Sequence, residues 1–514
     1  MNKNDIRTVA DLVKKSAEEF GGKVFLKELI KGDVAEKTFE EFCTDVKKLS
    51  GYINTKYGGG AKQIHTAVIG PSSYGWLVSW FGTVCGGNAA VPLDAQLSPQ
   101  DICELLVRSD TDIFCYDSRY EKMIPAVKAN CPNVKEYISF GETLPEILAN
   151  TEPAELPDIP ADKLAAIVYT SGTTGKSKGV MLLNSNYIDN AMCQDNEATS
   201  DDVMLSVLPI HHIYCFTCDI LISLRYGITL CVNDSLMHIP QNLKRFAPTA
   251  ILIVPMIAET MYKQIKAAAA QNPNVPIAAI AQSVFGGRLK TIYSGGAYLR
   301  PELQKAYMDM GFVMAQGYGM TECAPRISTA DPNDKECAGD VGVIVNGCTV
   351  KIEDGEILVK SPSVMAGYYK DEAATAEALT PDGWLRTGDL GYVDEKNRIF
   401  ITGRKKNLII LSNGENVSPE ELENKFAGYD IVGDVLVYSE DSVITAEIFP
   451  TAEAVKGLSE SDVEKAVFDI VDSVNKTVAS AKTIRRVYLR ASEFEKTTSK
   501  KIKRSQSEQG RRIR

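Results

Sequence analysis

Short apolar runs that favour β-strands alternate with amphipathic helical stretches through most of this 514-residue chain. The runs include TAVIG, AAIVYT and AILIVP, and the helical stretches include SPQDICELLVRS and RPELQKAYMDMG. Alternation of this kind predicts an α/β fold in which mostly parallel sheets are covered by helices. Because 514 residues exceed the size of one compact core, we expect two or more domains.

The pattern changes after Gly342, where the runs become shorter and richer in β-type residues as far as Ile401. This change predicts a small β subdomain. A basic segment, ITGRKKNLII, then separates it from a last stretch in which strands and helices are mixed. We therefore predict a large N-terminal domain over residues 1–403 and a small α+β C-terminal domain over residues 404–514.

Charge and hydropathy exclude several classes of protein. The net charge of -11 gives no electrostatic reason to expect a nucleic-acid partner. The longest uncharged run, from Trp76 to Leu93, is interrupted by glycines and Pro92, so it predicts a buried helix followed by a strand, with no membrane span. Twelve scattered cysteines, including a CxxC pair at Cys215 and Cys218, fit small buried thiols in a cytoplasmic protein.

The stretch YTSGTTGKSKGVML, residues 169–182, concentrates glycine, hydroxyl and lysine side chains. A Walker A loop requires glycine at position 170, where this chain has Thr170. The run GVMLLN that follows predicts a strand, whereas a Walker A loop enters a helix. We therefore expect a loop between two strands that binds polyphosphate through backbone amides, hydroxyls and lysines.

The loop and six further blocks resemble the adenylate-forming superfamily, which includes acyl-CoA synthetases, luciferases and peptide adenylation domains. The blocks, in order, are SVLPIHHIY, SGGAYL, QGYGMTE, WLRTGDLGY, GRKKNLIILSNGENVSPEELE and FEKTTSKKIKR. The resemblance implies a mobile C-terminal domain and two half-reactions. A carboxylic acid and ATP form acyl-AMP and pyrophosphate with Mg²⁺, and CoA then takes the acyl group.

The resemblance implies nucleotide contacts in the large domain. Tyr318 would stack on adenine, Thr321 would lie near the α-phosphate, and Glu322 would bind Mg²⁺, with Thr174 as a second candidate ligand. The other implied nucleotide contacts are Thr170, Ser171, Gly172, Thr173, Gly175, Lys176, Gly295, Gly296, Ala297, Gly317 and Gly319.

The C-terminal blocks imply four further roles. Asp389 would accept the ribose hydroxyls, and Arg404 would make a second contact with ribose or phosphate. Lys406 matches the hinge about which the small domain rotates. Lys501 matches the adenylation lysine, whose ammonium stabilises the charge that builds on the carboxylate and phosphorus. This last block departs from the usual pattern, because Lys500 stands where glycine is common.

In the block LPIHHIYCFTCDIL, His212 matches the position near the substrate carboxylate, and His211 is its weaker neighbour. Ile213 stands where amino-acid-activating domains carry an aspartate, so an amino-acid substrate is disfavoured because its ammonium would be unpaired. Apolar residues around this position predict a fatty or aryl acid. The predicted pocket residues are His212, Ile213, Phe216, Tyr293 and Cys323.

Three alternatives stay open from the sequence. The first is an acyl-AMP ligase that loads the phosphopantetheine of an acyl carrier protein instead of CoA. The second is a catalytically silent nucleotide-binding module, and the third is a P-loop phosphotransferase. The retained Glu322, Asp389 and Lys501 argue against the second, and the loop spacing argues against the third.

Overall fold

The computed structural model describes Met1 and residues 5–58, 62–170, 177–194, 198–331, 336, 339–411, 416–441, 443–496, 502–504 and 509–514. The chain divides into two compact units. The large unit comprises Met1–Val350 and Val359–Arg386, and the small unit comprises Lys351–Leu358 and Thr387–Arg514. The domain boundary between residues 403 and 404 stays a prediction.

The strands are distributed along the whole chain. They are β1 (Val24–Ile30), β2 (Asp33–Thr38), β3 (His65–Ile69), β4 (Ala89–Leu93), β5 (Ile113–Tyr116), β6 (Glu136–Ser139), β7 (Leu164–Thr170), β8 (Lys178–Leu183), β9 (Val203–Ser206), β10 (Thr229–Val232), β11 (Ala250–Ile253), β12 (Thr291–Gly295), β13 (Val313–Gly319), β14 (Arg326–Thr329), β15 (Val343–Ile344), β16 (Thr349–Glu353), β17 (Glu356–Lys360), β18 (Gly367–Tyr368), β19 (Leu385–Val393), β20 (Ile399–Arg404), β21 (Ile409–Ile410), β22 (Asn416–Val417), β23 (Val432–Glu440), β24 (Val443–Pro450), β25 (Arg486–Leu489) and β26 (Arg511–Arg512).

Most of the helices lie between the strands of the large unit. The α-helices are α1 (Val9–Phe20), α2 (Phe39–Tyr57), α3 (Tyr74–Val84), α4 (Pro99–Arg108), α5 (Ile124–Asn130), α6 (Thr143–Asn150), α7 (Asn184–Ala191), α8 (Ile213–Cys215), α9 (Ile222–Tyr226), α10 (Ile239–Phe246), α11 (Pro255–Gln271), α12 (Ile277–Val284), α13 (Pro301–Asp309), α14 (Glu372–Ala378), α15 (Pro419–Asn424) and α16 (Glu460–Asn475). A π-helical segment, Phe216–Leu221, joins α8 to α9.

Two sheets form the frame of the large unit. One has nine strands in the order β15-β14-β13-β12-β11-β9-β10-β1-β2, and the other has seven in the order β18-β8-β7-β4-β3-β5-β6. The inner pairs are parallel, whereas β2, β14, β15, β8 and β18 pair antiparallel at the edges. The predicted fold of mostly parallel sheets with helices is confirmed.

The uncharged run near residue 80 forms a helix and then a strand, as predicted. Helix α3 begins after Ser73, whose hydroxyl accepts a hydrogen bond from the backbone N–H of Trp76. Trp76 and Trp80 are buried, and every residue of β4 is buried. Strands covered on both faces read as continuous apolar runs, which explains the sequence pattern. Among the residues that the structure describes, no helix has the length and apolar character needed to span a bilayer.

The small unit is built from shorter sheets, in agreement with the β-rich sequence. Strands β16, β17, β19 and β20 form one sheet, β21 pairs with β22, and β23 to β26 form a sheet in chain order. Helices α15 and α16 contribute to one apolar core with the last of these sheets, through Leu422, Val467 and Val471.

Helix α15 begins after Ser418, and because Glu421 stands three residues later, the sequence predicts a reciprocal capping box here. Only half of this motif forms. The Ser418 hydroxyl accepts a hydrogen bond from the Glu421 backbone N–H at 3.4 Å, as expected. The Glu421 carboxylate, however, accepts a hydrogen bond from Lys482 Nζ at 2.8 Å, and the Ser418 hydroxyl donates to Glu420. A tertiary ion pair has therefore replaced half of the local motif.

Candidate active site

The glycine-rich loop lies between two strands, as the sequence predicts. Strands β7 and β8 pair antiparallel, with Thr170 opposite Lys178. A Walker A loop would lead from a strand into a helix, so the P-loop alternative does not fit this arrangement. Thr170 ends β7. Outside the described residues lie Ser171, Gly172, Thr173, Thr174, Gly175 and Lys176, and their phosphate and metal contacts stay predictions.

A short chain of contacts connects the exit of this loop to the predicted magnesium ligand. Strand β18 pairs with β8 and places Tyr368 opposite Val180. The Tyr368 hydroxyl donates a hydrogen bond to Glu322 Oε1 at 2.8 Å, and Lys178 Nζ lies 4.9 Å from the centre of the Tyr368 ring. Burial and the Glu322 charge raise the pKa of Tyr368, so this tyrosine remains a donor. The structure therefore brings Lys178 and Glu322, which are 144 residues apart in the sequence, into contact with the same tyrosine.

The glycines assigned to nucleotide binding lie at the carboxyl ends of two neighbouring parallel strands. Gly295 of β12 pairs with Gly317 of β13. Gly296 and Ala297 follow β12 and are exposed, and Gly296 has a φ of +79°, which favours glycine. Ligands of open α/β sheets bind at the carboxyl ends of strands, so this edge is the expected place for a nucleotide.

The turn after β13 positions the next predicted residues. A Cβ atom at Gly319 would lie 2.0 Å from the Pro325 carbonyl oxygen, so only glycine fits there. Tyr318 is buried, and Thr321 begins a single 3₁₀ turn, Thr321–Cys323, that carries Glu322. The structure therefore holds Thr321 and Glu322 on one turn at the end of β13.

The two histidines lie in the connection between β9 and α8. Their ring centroids are 4.3 Å apart, and His211 Nε2 lies 3.7 Å from Asp94 Oδ2. Burial and the neighbouring His212 lower the pKa of His211 to about 3, although Asp94 opposes this shift. His211 is therefore neutral at physiological pH. His212 is the residue that precedes α8, and its backbone carbonyl accepts a hydrogen bond from the Phe216 N–H at 2.9 Å.

Tyr214 and Tyr293 lie close to Gly295, at the carboxyl end of β12. A Cβ atom at Gly295 would lie 2.8 Å from the Tyr214 hydroxyl oxygen, so the tyrosine packs directly on this glycine. Tyr293 lies two residues before Gly295 on β12, and alternate residues of a strand share one face. Tyr214, Tyr293 and Cys218 are only partly buried by surface area, yet burial raises the pKa of both Tyr293 and Cys218 to about 12. These three side chains therefore keep some accessible surface. We interpret the space that they border beside Gly295 as the cavity for the acyl group, and the pocket role of Tyr293 stays a prediction.

The other predicted pocket residues are buried in packed surroundings. The Phe216 ring centroid lies 4.1 Å from that of Trp80, and Phe216 also packs against Phe81 and Tyr187. Cys323 is buried, and its carbonyl accepts a hydrogen bond from the Asn190 side chain. Ile213 is buried at the start of α8. The lining roles of Ile213, Phe216 and Cys323 stay predictions.

In the small unit, two predicted nucleotide contacts form an ion pair. Asp389 and Arg404 are register partners in the β19–β20 ladder, and Arg404 Nε lies 2.6 Å from Asp389 Oδ1. Asp389 is buried, whereas the Arg404 side chain is 40% exposed. Lys406, the predicted hinge, is two residues further on, and burial together with Arg404 and Arg504 lowers its pKa. Lys501 lies outside the described residues, so its role stays a prediction.

Solved structures share this fold over almost the whole chain. ATP-bound MatB from Rhodopseudomonas palustris matches with a TM-score of 0.80 and 22% identity, covering 96% of this chain and 97% of that chain. The anthranilate CoA ligase AuaEII, in complex with anthranoyl-AMP, matches with a TM-score of 0.83 and 19% identity over 98% of both chains. This chain therefore has the same fold as these two proteins.

The family model described as AMP-binding enzyme matches residues 13–369, and that of the AMP-binding enzyme C-terminal domain matches residues 406–510. The chain belongs to the AMP-binding enzyme family. The long-chain-fatty-acid–CoA ligase FadD15 of Mycobacterium bovis is 26% identical over 80% of this chain and 77% of its own. The 4-coumarate–CoA ligase 1 of Arabidopsis thaliana is 29% identical over 84% and 81%. The predicted enzyme class, an AMP-forming acyl-CoA synthetase, is confirmed.

Three residues of the large unit that bear on the site were missed from the sequence. Tyr368 lies in a segment without a recognisable motif, and only the β18–β8 pairing places it on Glu322. Arg326 follows the QGYGMTE block closely, but nothing in the sequence shows that it is buried. Asp219 is fully buried in the π-helical segment, where burial raises its pKa to about 7 and Ser206 donates a hydrogen bond to it at 2.9 Å.

Proposed function

We propose that this enzyme activates a carboxylic acid with ATP, releases pyrophosphate and transfers the acyl group from acyl-AMP to the thiol of CoA. The observation that supports this best is the chain of contacts from Lys178 through Tyr368 to Glu322. It connects the loop proposed to hold the triphosphate to an acidic side chain suited to a metal ion. A silent binding module would not need a carboxylate held in this position.

Glu322 is the proposed Mg²⁺ ligand, with Thr174 as a second candidate. Its Oε1 accepts the Tyr368 hydroxyl, whereas its Oε2 makes no hydrogen bond with a described residue. Among the described residues, no group of three or more potential metal ligands lies together. A single carboxylate fits Mg²⁺, which is typically held by one or two carboxylates and by substrate phosphates. When bound, the ion would neutralise phosphate charge as pyrophosphate leaves.

The positions of the glycines at the strand ends support the proposed nucleotide contacts. Gly295, Gly296 and Ala297 present main chain at the edge where Tyr318 would stack on adenine. In the small unit, Asp389 would accept the ribose hydroxyls. Its ion pair with Arg404 orients this carboxylate.

Lys501 would supply the charge that adenylation requires. Negative charge builds on the attacking carboxylate oxygen and on the phosphorus, and an ammonium between them stabilises the transition state more than the ground state. Lys406 would act as the hinge that lets the C-terminal domain serve both half-reactions.

The acid is proposed to be a fatty acid or a related acid with an apolar body. Tyr214 and Tyr293 provide apolar surface next to Gly295, and Ile213 leaves no partner for the ammonium of an amino acid. His212 would lie near the reacting carboxylate. We propose a cytoplasmic location, which fits the unpaired cysteines among the described residues, and CoA as the acceptor, with an acyl carrier protein as the alternative.

The test is a panel of carboxylic acids, first for acid-dependent exchange between ATP and pyrophosphate and then for CoA consumption. We expect both activities with the same acids. Exchange without CoA consumption would indicate the carrier-protein acceptor, and no exchange with any acid would contradict the proposal.

A pair of lysine variants tests the catalytic assignment. Lys501→Ala should abolish acid-dependent exchange and leave ATP binding largely intact, because the lysine acts in the transition state. Lys500→Ala, which removes the neighbouring charge, should keep exchange within about threefold of wild type. Normal exchange by Lys501→Ala would show that another lysine has this role.

A further inference from the structure

Arg326 is a buried cation on the same hairpin as Glu322. It begins β14, is 7% exposed, and its Nε lies 3.4 Å from the side-chain oxygen of Asn190. Its Nη2 donates to the main-chain carbonyl of Asn190, near the carboxyl end of α7. Its Nη1 makes no hydrogen bond with a described residue, so the guanidinium has donors that the protein does not use.

No carboxylate of a described residue forms an ion pair with Arg326. The groups that act most strongly on Arg326 are the thiols of Cys193 and Cys218 and the phenols of Tyr226 and Tyr293, and no carboxylate is among them. The end of a helix supplies only about half an elementary charge of opposite sign. A buried charge without a full partner is costly, and sites that bind charged ligands are places where such groups are retained.

The strand register places Arg326 on the face that carries the cavity. Gly317 and Gly319 share one face of β13, and Gly317 pairs with Gly295, two residues after Tyr293 on β12. An irregularity at Tyr318/Gly319 shifts the β13–β14 register by one residue, so that Arg326 pairs with Gly319. Paired residues lie on the same face of a sheet. Arg326 and Tyr293 therefore point to the same side.

Two further donors lie in the same cavity wall. The hydroxyl groups of Tyr214 and Tyr293 make no hydrogen bond with any residue in the described part of the chain, and both side chains are partly accessible. The Arg326 guanidinium acts electrostatically on both tyrosines and on Cys218. A cavity for an unsubstituted hydrocarbon chain would not need a guanidinium and two phenolic donors.

We infer that the acid substrate carries a second carboxylate at the end remote from the reacting one, and that Arg326 binds this second carboxylate with help from the Tyr214 and Tyr293 hydroxyls. This inference rests on the proposed function, and it narrows the substrate to dicarboxylic acids with an apolar body. Arg326 is then a specificity-determining residue. Carboxylate binding by a guanidinium is bidentate and charge-assisted, which uses the donors that the protein leaves open.

The expected selectivity follows from the cost of leaving Arg326 unpaired. A site built to bind a polar group discriminates strongly against an analogue that lacks it. Removing one partner of a buried charge pair costs enough binding free energy to weaken the affinity by about 30-fold or more. We therefore expect a dicarboxylic acid to be preferred by at least about 30-fold over the monocarboxylic acid of equal length.

The experiment compares matched straight-chain monocarboxylic and α,ω-dicarboxylic acids with wild type and Arg326→Met. Wild type should use dicarboxylic acids of one range of lengths, and Arg326→Met should lose at least about 30-fold in kcat/KM for them while keeping or gaining activity with monocarboxylic acids. Equal losses for both series would show a structural role and overturn the inference. A wild-type preference for monocarboxylic acids at every length would also overturn it.

Arg225→Met is the matched control. Arg225 is also buried and donates to main-chain carbonyls at the same end of α7, Ala191 at 3.0 Å and Gln194 at 2.8 Å. Its loss should lower stability without changing the ratio of kcat/KM between the two acid series. A changed ratio in this control would assign the selectivity to the helix end and not to Arg326.

Calorimetric titration with the same dicarboxylic acids, without ATP, separates this inference from the proposed function. If wild type binds these acids and Arg326→Met binds them at least about 30-fold more weakly, the inference is supported even when no acid is turned over. Absence of turnover would contradict only the proposed function. Turnover of acids with binding unaffected by Arg326→Met would contradict only the inference.

Discussion

The hydrogen bond from Tyr368 to Glu322 offers a direct test of the proposed site. Tyr368→Phe removes one hydroxyl and keeps the ring that lies beneath Lys178 Nζ. The lost bond is 2.8 Å long, its acceptor is a carboxylate, and both side chains are buried, so water cannot readily replace the donor. A hydrogen bond to a charged group contributes about 1.5–3 kcal/mol. A change of 1.4 kcal/mol in activation free energy corresponds to about tenfold in rate. If the whole contribution of this hydrogen bond is lost from the transition state, kcat/KM should fall about 10- to 100-fold.

The assay is acid-dependent pyrophosphate release at several ATP and Mg²⁺ concentrations. Loss of orientation at Glu322 should raise the Mg²⁺ concentration needed for half-maximal rate, because this carboxylate is the proposed ligand. The effect should therefore be largest at low Mg²⁺ and smaller at saturation.

The neighbouring Tyr369→Phe is the matched control. Its hydroxyl donates to Asp110 Oδ2 at 2.6 Å, so the same atom is removed from a second tyrosine–carboxylate pair. We expect this variant to lose some stability and to keep kcat/KM within about twofold of wild type. Equal losses of activity in the two variants, or unchanged activity in Tyr368→Phe, would refute the reasoning about Glu322.

Two further predictions concern stability. Gly319→Ala places a Cβ atom 2.0 Å from the Pro325 carbonyl oxygen, and this clash with the backbone should lower the free energy of unfolding by about 3 kcal/mol. In Gly317→Ala the nearest atom to the new Cβ is 3.5 Å away, so the loss of stability should be far smaller. The urea midpoints of the two variants compare these costs, and equal midpoints would contradict the clash. For Asp219, burial raises the pKa from 3.8 to about 7, so the folded state holds one more proton between these values and stability falls as pH rises. The free energy of unfolding of Asp219→Asn should therefore rise relative to that of wild type by on the order of 3 kcal/mol between about pH 5 and pH 8. The same difference between the two proteins at both pH values would contradict a raised pKa at Asp219.

Much of the fold could be predicted because the controlling signals are local. Alternation of apolar runs and helical stretches indicates parallel sheets, and the strand that follows the loop at Thr170 distinguishes it from a Walker A loop. Glu322 and Asp389 could be named because they stand within short blocks that resemble those of the adenylate-forming superfamily. The capping box at Ser418 failed because a distant residue, Lys482, engages Glu421 more favourably than the local backbone does.

The sequence by itself therefore determined the class of fold, the order of the motifs and the chemistry that these motifs can support. Only the tertiary structure decided which partners hold these residues. The β18–β8 pairing places Tyr368 on Glu322, and a one-residue shift in the β13–β14 ladder places Arg326 on the same sheet face as Tyr293. Both depend on strand register between distant segments, and register follows from the packing of whole sheet faces, which no short motif contains.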